Sequence, residues 1–582
     1  MDNLKYKTVA VVGCGPRGLN ALENLLLAYE LSQNRFNLKI IIFERTGLYG
    51  CGQVYAPHQV LQNWMNLSER SLELSKRKSL NYKDLTIDSF PSFHEWKNCD
   101  FSNPNKADIY PPRGDVGVYL IERFNSLANP LIEANILELQ HALVTSLVYE
   151  KDRFVLASDN NQIFNADEVL LTVGHQPTII DGQISKWIKF SKQHKNTQFI
   201  EKPYPIDELV NQININSNSK VAIRGFGLAM IDVTRALAQS TESYFEIVNK
   251  ETQEMIFRPG KNFPKKIIPF SLDGMPMHPK PLNKTIDDYF IPSSEDLNYL
   301  EQTISEVLSN PKDVTSTDFL KLVMSKIIAK VFIRLDTFAM SHNYGHTEIE
   351  KQVAAYINGD TMDSHLFPTS AFKIDQLLKF YIDMATGKDK ISLDYCIGQV
   401  WRHCQPSIYD TLSFNSCNNE VVASIVKLDE RVKRYSFGPP VDSVQQIIAL
   451  VDADVLNLDY VNNPTIELSN AGWELSKNAN SIMVKTMINS VLDAPKIKII
   501  DSPILKHLLA NNIIRAVHDD LGIATDEYGY LSSKENLNMP IAVLGRLAKG
   551  TIIGVDAILE CYGKRPQSWA SKAADYHELY VK

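Results

Sequence analysis

The sequence predicts an α/β fold with two strand–glycine turn–helix units and a mainly helical insertion. TVAVVGCGPRGLNALENLL (8–26) places glycines between a short apolar strand and a helix with apolar residues at helical spacing. KVAIRGFGLAMIDVTRALAQS (220–240) repeats that arrangement. Between 281 and 430 the segments have helical spacing and few glycines, whereas apolar runs at 424–428, 446–451 and 496–500 predict a return to strands.

The glycines of the first unit have the spacing of a dinucleotide-binding turn. Gly13 permits a tight turn, Gly15 lets a pyrophosphate approach the backbone, and Gly18 lets the helix pack closely on the strand. The next apolar strand ends at Glu44, roughly 26 residues beyond Gly18. A carboxylate at this place can accept hydrogen bonds from the ribose hydroxyls. The cofactor-binding residues that we expect here are Gly13, Gly15, Pro16, Arg17, Gly18, Glu44 and Arg45.

The second unit is less complete, because Met230 stands where a third glycine is expected after Gly225 and Gly227. Its position downstream of a complete unit nevertheless favours a second nucleotide site. Between the two units, an apolar strand ends at Thr172 and turns at Gly174, which is typical of a chain that returns to the first sheet beside a cofactor.

Composition excludes several classes of function. The net charge of -8 and the pI near 6.0 give no basic surface for nucleic acid. No apolar run approaches the ~18 residues of a membrane span, and the N-terminus enters a strand without a cleavable apolar segment. Seven dispersed cysteines predict reduced thiols. We therefore expect a cytoplasmic protein that binds neither nucleic acid nor membrane.

Further motifs are spread along the whole chain. They are VVGCGPRGLNALENLL (11–26), GLYGCGQVYAPHQVLQNWMN (47–66), PSFHEW (91–96), YPPRGDVGVYL (110–120) and PIAVLGRLAKGTIIG (540–554). Together they make the chain resemble the bacterial FAD/NAD(P)-binding proteins with a GxGPRG nucleotide turn, which are distant relatives of the flavin-dependent N-hydroxylating monooxygenases. One segment departs from that pattern, because FSLDGMP (270–276) carries Leu272 where relatives tend to have a basic residue.

The resemblance implies a two-dinucleotide-binding, Rossmann-like flavoprotein that uses FAD and NAD(P)H. It divides the chain into an FAD-binding domain (1–180, first part), an NAD(P)-binding domain (181–280), a helical insertion or lid (281–430), and a remainder that completes both nucleotide domains (431–582). The further cofactor-binding residues that it implies are Gln53, Gln62, Gly174, Gly225, Gly227, Gly545 and Gly554.

The residues alone do not decide among three activities. The resemblance favours a monooxygenase that takes molecular oxygen and N-hydroxylates a small amine or amino acid. An FAD-dependent oxidase or dehydrogenase without oxygen insertion, and a degenerate non-catalytic FAD/NAD(P)-binding protein, are the alternatives. A disulfide reductase is disfavoured because Cys51 has no partner at Cys-x4-Cys spacing, and His342 and His346 lack the glutamate of a metal-binding helix.

Two side chains are the candidate catalytic residues. Arg113 offers a planar guanidinium that suits a carboxylate or phosphate, although an arginine that satisfies loop carbonyls is an equal interpretation. Asn66 can hydrogen-bond the flavin or a bound nicotinamide, or else it caps a helix that begins at Leu67.

Overall fold

Two parallel sheets organise the chain in the computed structural model, which describes residues 6–32, 37–368, 372–532 and 539–579. The strands in chain order are β1 (Tyr6–Val12), β2 (Asn37–Phe43), β3 (Leu80–Tyr82), β4 (Leu85–Ile87), β5 (Leu137–Gln140), β6 (Val144–Glu150), β7 (Arg153–Ser158), β8 (Ile163–Ala166), β9 (Glu168–Leu171), β10 (Gln198–Ile200), β11 (Lys220–Arg224), β12 (Tyr244–Asn249), β13 (Glu254–Arg258), β14 (Lys266–Phe270), β15 (Thr465–Ser469), β16 (Gly472–Lys477), β17 (Asn480–Val484), β18 (Thr486–Asn489) and β19 (Ile541–Val543).

The helices follow one another most closely between β14 and β15. In chain order they are α1 (Pro16–Leu31), α2 (Phe93–Lys97), α3 (Arg113–Glu133), α4 (Gly182–Gln193), α5 (Ile206–Gln212), α6 (Leu228–Ser240), α7 (Lys284–Asp287), α8 (Ser294–Leu308), α9 (Asp318–Arg334), α10 (His346–Asn358), α11 (Ile374–Ala385), α12 (Leu393–Leu412), α13 (Asn419–Ser436), α14 (Val441–Asp452), α15 (Pro503–Ala510) and α16 (Lys564–Leu579).

The first sheet has the strand order β19-β9-β1-β2-β5, and all its pairs are parallel. This is the order of a nucleotide-binding half-sheet, in which β1 is central and α1 crosses to β2. Val9, Val11 and Ile42 are buried, as expected for strands that are covered on both faces. Helix α16 returns from the far end of the chain and packs against α1.

The second sheet has the order β10-β18-β11-β14 and is also parallel. Helix α6 follows β11, and the hairpin of β12 and β13 precedes β14. A three-stranded antiparallel sheet precedes the fourth strand in each unit: β6–β8 lead into β9, and β15–β17 lead into β18. The two units are therefore built alike, and the prediction of an α/β fold with two Rossmann-like units is confirmed.

The helices α7–α14 lie between β14 and β15 and continue to Asp452. The strands expected at 424–428 and 446–451 were wrong, because these residues lie in α13 and α14. The run at 496–500 contains only a 3-10 turn. Helix α14 is buried around most of its circumference, so its sequence is as apolar as that of a buried strand, and periodicity cannot separate the two.

Two connections join the units side by side. The Ile179 N–H donates to Ile499 O at 2.7 Å, and the Asp501 N–H donates to Pro177 O at 2.7 Å. Among the helices of the described ranges, none combines the length and apolarity that a membrane crossing requires.

Candidate dinucleotide-binding cleft

The first glycine turn joins β1 to α1 with little room for side chains. Gly13 has φ +90°, and its N–H donates to Phe43 O at 2.8 Å. A Cβ atom built on Gly18 would lie 2.7 Å from Gly13 O, so only glycine permits this approach of helix and strand. A Cβ atom built on Gly15 would meet only Cys51 O, at 3.9 Å. The space beside Gly15 is therefore open.

The N-terminus of α1 suits an anion. Pro16 occupies the first helical position and no side chain caps the helix, so backbone N–H groups of the first turn are available to a ligand. These features fit the pyrophosphate of a dinucleotide. The opening between Gly15 and the loop that contains Gly52 is narrow, since a Cβ atom built on Gly52 would lie 3.3 Å from the Gly15 Cα.

Glu44 follows β2 directly and faces the same turn. Its Oε2 accepts the Cys14 N–H at 3.0 Å, and its Oε1 accepts the N–H and the hydroxyl of Thr46 at 3.0 and 2.7 Å. The side chain is buried; Oε1 already accepts two hydrogen bonds, and Oε2 retains capacity for one further donor such as a ribose hydroxyl. Beside it, Arg45 donates to Gln53 Oε1 at 3.2 Å.

The side chain of Arg17 points away from the glycine turn and contacts residues between 545 and 560. Its guanidinium donates to Glu560 O at 2.9 Å, and a Cβ atom on Gly545 would lie 2.6 Å from Arg17 Nε. Gly545 itself has φ +94°. Gly554 lies against the ring of Tyr409 in α12. Arg17 and Gly545 therefore lie against each other, and Gly554 contacts the insertion. The sequence did not reveal these contacts.

The loop at 62–66 contains three unsatisfied acceptors. Gln62 Oε1, Asn63 Oδ1 and Asn66 Oδ1 are buried and accept no hydrogen bond from any described residue. Such oxygens carry a desolvation cost that ligand N–H groups relieve. Their clustering fits the polar rings or carboxamide of a bound cofactor, and Asn63 was missed from the sequence although it belongs to the same amide-rich stretch.

Asn66 joins this loop to the insertion. Its Nδ2 donates to Phe437 O at 3.0 Å, and Lys280 Nζ donates to Asn66 O at 2.8 Å. No helix begins at Leu67, so the alternative interpretation of Asn66 as a helix cap was wrong. On the other side of the cleft, Gly174 has φ +65° and open space around it.

The second glycine turn repeats the first in its backbone. Gly225 has φ +124°, and its N–H donates to Phe270 O at 2.7 Å. Gly227 precedes α6, which has no capping side chain. Met230, in the place of a third glycine, is 2% exposed and packs in the core shared with the insertion. The turn therefore has an open helix N-terminus, as the first turn does.

Arg113 connects the two units. It is the first residue of α3; its Nε donates to Trp64 O at 3.1 Å and its terminal nitrogen to Asp232 Oδ2 at 3.2 Å. Tyr204 also donates to Asp232, at 2.5 Å, and Arg235 donates at 3.4 Å. Both of our interpretations of Arg113 stay predictions, because remaining N–H groups are available to a ligand.

Asp232 and Arg235 were missed from the sequence. The available signal was an aspartate and an arginine three residues apart in an otherwise apolar helix. Charged side chains are rarely fully buried unless they are paired. Arg235 lies 4.0 Å from the Trp64 ring centroid and donates to Gln446 at 2.6 Å and to Ser443. Burial lowers the pKa of Arg235 to about 10, against the opposing charge of Asp232.

We expect Gly15→Val to remove FAD while the protein stays folded. A Cβ atom at this position lies 3.9 Å from the Cys51 carbonyl oxygen, and the valine methyl groups fill the space at the start of α1. The measurement is the flavin absorbance of the purified protein beside its thermal unfolding midpoint. Gly182→Val, at a glycine with open surroundings, is the control that keeps the flavin. A yellow Gly15→Val protein would refute the assignment of this turn.

We expect Asp232→Asn to lower the free energy of unfolding by about 3–5 kcal/mol, because it leaves two guanidinium groups without their shared carboxylate. The matched control is Asp181→Asn, since Asp181 pairs with Arg224 at 3.6 Å and is 52% exposed. That change should cost under about 1 kcal/mol, and asparagine still caps α4. Urea unfolding followed by tryptophan fluorescence compares them; equal losses would contradict the linking role.

Comparison with known proteins adds the following. The family model described as FAD-NAD(P)-binding matches residues 10–176. The nitrosuccinic acid synthase npaA of Aspergillus oryzae is 27% identical over 227 residues, a match that covers 38% of this chain and 34% of that protein. This chain therefore spans about a third of the length of the curated relative that it matches.

Solved structures that resemble the chain include flavin-dependent hydroxylases. The ornithine hydroxylase PvdA of Pseudomonas aeruginosa is 11% identical with a TM-score of 0.43, covering 98% of this chain and 99% of that one. The ornithine N-hydroxylase KtzI of Kutzneria sp. 744 is 11% identical with a TM-score of 0.45, over 98% and 99% of the two chains. The chain is an α/β protein with two Rossmann-like units, and residues 10–176 match an FAD/NAD(P)-binding domain.

Proposed function

We propose that the protein is an FAD-dependent oxidoreductase that uses NAD(P)H and oxygen to N-hydroxylate a small amine or amino acid. The observation that carries this proposal is the direct contact between the two units beside the second glycine turn. Arg113 of the first unit binds Asp232 of the second, and Asp232 lies five residues beyond Gly227, or about 7.5 Å along the helix axis.

Bound FAD supplies the two-electron redox chemistry, including the use of oxygen, that side chains lack. The residues that would hold it are those of the first turn, with Glu44 toward the ribose and the amide oxygens of 62–66 toward its polar groups. The insertion covers this side of the cleft, since Phe437 and Lys280 both contact Asn66. A covered cleft excludes water, which favours transfer of oxygen to the substrate over its loss as peroxide.

Thiol chemistry is disfavoured. Cys14 and Cys51 are both buried beside the first turn. Burial, together with the nearby charge of Glu44, raises the pKa of Cys51 to about 12, so its thiol stays protonated at neutral pH. Burial also raises the pKa of Cys14. Neither cysteine suits a disulfide-exchange mechanism.

Asp442 supplies the charge that an amine substrate needs. It lies at the start of α14, is half-buried, and has no cation within 4.0 Å of its carboxylate among the described residues. Burial raises its pKa to about 6, with the charge of Arg235 opposing. Its charge also acts on Tyr110, and Arg235, on which it acts as well, lies over the Trp64 ring of the loop at 62–66. At neutral pH, this carboxylate can bind an ammonium group or accept its proton.

The curated relative supports oxidation of nitrogen, because the product in its name is a succinic acid that bears a nitro group. For this chain we propose the first such step. An amine, oxygen, NAD(P)H and a proton give a hydroxylamine, NAD(P)⁺ and water: one N–O bond forms, the O–O bond breaks, and the coenzyme hydride supplies the two electrons that reduce the second oxygen atom to water.

The deciding experiment mixes the FAD-loaded protein with NADH or NADPH in air and a panel of amino acids and small diamines. The expected result is coenzyme oxidation that yields hydroxylamine, with ¹⁸O from ¹⁸O₂ in the product and little hydrogen peroxide. Release of ammonia with a keto acid or aldehyde would instead establish an oxidase or dehydrogenase. A flavin that neither coenzyme nor any amine of the panel reduces would establish the non-catalytic alternative.

We expect kcat/KM for the amine to fall about tenfold per pH unit below about pH 6, because protonation of Asp442 removes the charge that binds the substrate. Asp442→Asn should lack this acidic limb and have a KM raised about tenfold. The measurement is the pH profile of hydroxylamine formation. Asp452→Asn, at the exposed end of the same helix, is the control that keeps the limb. An unchanged profile in Asp442→Asn would exclude this role.

A further inference from the structure

The two glycine turns can be aligned residue by residue through their backbone hydrogen bonds. Gly13 donates to the last residue of β2, Phe43, at 2.8 Å, and Gly225 donates to the last residue of β14, Phe270, at 2.7 Å. In the registers of the two parallel pairs, Val12 lies opposite Phe43 and Arg224 opposite Phe270. The residues that follow β14 therefore occupy the position of Glu44 and its successors.

This position faces the adenosine ribose in a dinucleotide-binding unit. An acidic residue there accepts the ribose 2′-hydroxyl of NADH, whereas a nearby arginine accommodates the 2′-phosphate of NADPH. In the second unit, Ser271 stands in the place of Glu44, and Leu272 follows with 87% of its surface exposed. The first charged side chain after the strand is Asp273, whose carboxylate is 45% exposed.

The geometry of this turn fixes Asp273 at the rim. Gly274 has φ +66°, and its N–H donates to Ser271 Oγ at 3.0 Å. Asp273 Oδ1 accepts the Met275 N–H at 3.2 Å, and Arg434 from the last turn of α13 forms an ion pair with Oδ2. The carboxylate is thus oriented by two donors and still reaches solvent.

The cations nearby are already neutralised. Arg434 is paired with Asp273; Arg224, at the end of β11, pairs with Asp181 and donates to Asn489. Lys433, next to Arg434, binds the carboxylates of Asp429, Glu430 and Asp556. A 2′-phosphate carries about −1.5 to −2 charges at pH 7, and here it would meet a carboxylate, while these three cations already have partners among the described residues.

We propose that the second unit selects NADH over NADPH, that Asp273 excludes the 2′-phosphate, and that Arg434 positions the Asp273 carboxylate. The inference rests on the proposed function only in taking the second unit as the pyridine-nucleotide site. Asp273 accepts the ribose hydroxyl, as Glu44 does in the first unit, while exposed Leu272 contributes no charge.

The test is anaerobic reduction of the bound flavin by NADH and by NADPH, without any amine. We expect the wild-type second-order rate constant to be at least about tenfold higher with NADH. Leu272→Arg places a cation at an exposed position and should shift the ratio at least about tenfold toward NADPH. Asp273→Ser should do the same by freeing Arg434, and adding Arg434→Met to that variant should remove the gain. Asp363→Ser, an exposed carboxylate of the insertion, is the control.

Titration calorimetry with NAD⁺ and NADP⁺ gives the same comparison without catalysis. Equal affinity of the wild-type protein for NADP⁺ and NAD⁺ would overturn the inference. Loss of NADP⁺ binding alone in Arg434→Met would also overturn it, since Arg434 would then be a phosphate ligand. Failure of both nucleotides to bind would also overturn it. If NADH reduces the flavin but no amine is hydroxylated, the proposed function fails and the coenzyme preference stands.

Discussion

The arrangement of the molecule depends on one buried carboxylate, that of Asp232. It lies between the guanidinium groups of Arg113 and Arg235, one from the first unit and one from its own helix, and it also accepts the Tyr204 hydroxyl. Arg235 continues the connection to Trp64 and to α14. Asp232 and Arg235 together thus link the first unit, the second unit and the insertion at one point.

The sequence predicts what local spacing controls. The strand, turn and helix around Gly13 and Gly225 depend on residues within one βαβ unit, and both units form as expected. The contact of Arg113 with Asp232 joins residues 119 positions apart, and no periodicity encodes it. The strands expected at 424–428 and 446–451 were wrong, and for the second the reason is local: α14 is buried on nearly every side and lacks the polar face that distinguishes a helix from a strand.

The candidate site likewise contains residues that the sequence predicts and contacts that it does not predict. Gly15 and Glu44 were identified because the chemistry of a pyrophosphate and a ribose demands an open glycine and an acid at a set spacing. Arg17 and Gly545 lie together because the chain returns more than five hundred residues later, so their contact with each other is a consequence of tertiary structure. The position of Asp442 depends likewise on the packing of α14, which the sequence does not show.

The place at which the second unit interrupts the first sheet, near Ile179 and Ile499, has an evolutionary consequence. The chain leaves the first sheet after β9 and re-enters it at β19, and these two strands are direct neighbours. The whole second unit with its helices is therefore a guest between adjacent strands of a host sheet that closes without it. Because the entropic cost of a closed loop grows only slowly with its length, such a guest can be acquired or enlarged at little cost in closure entropy.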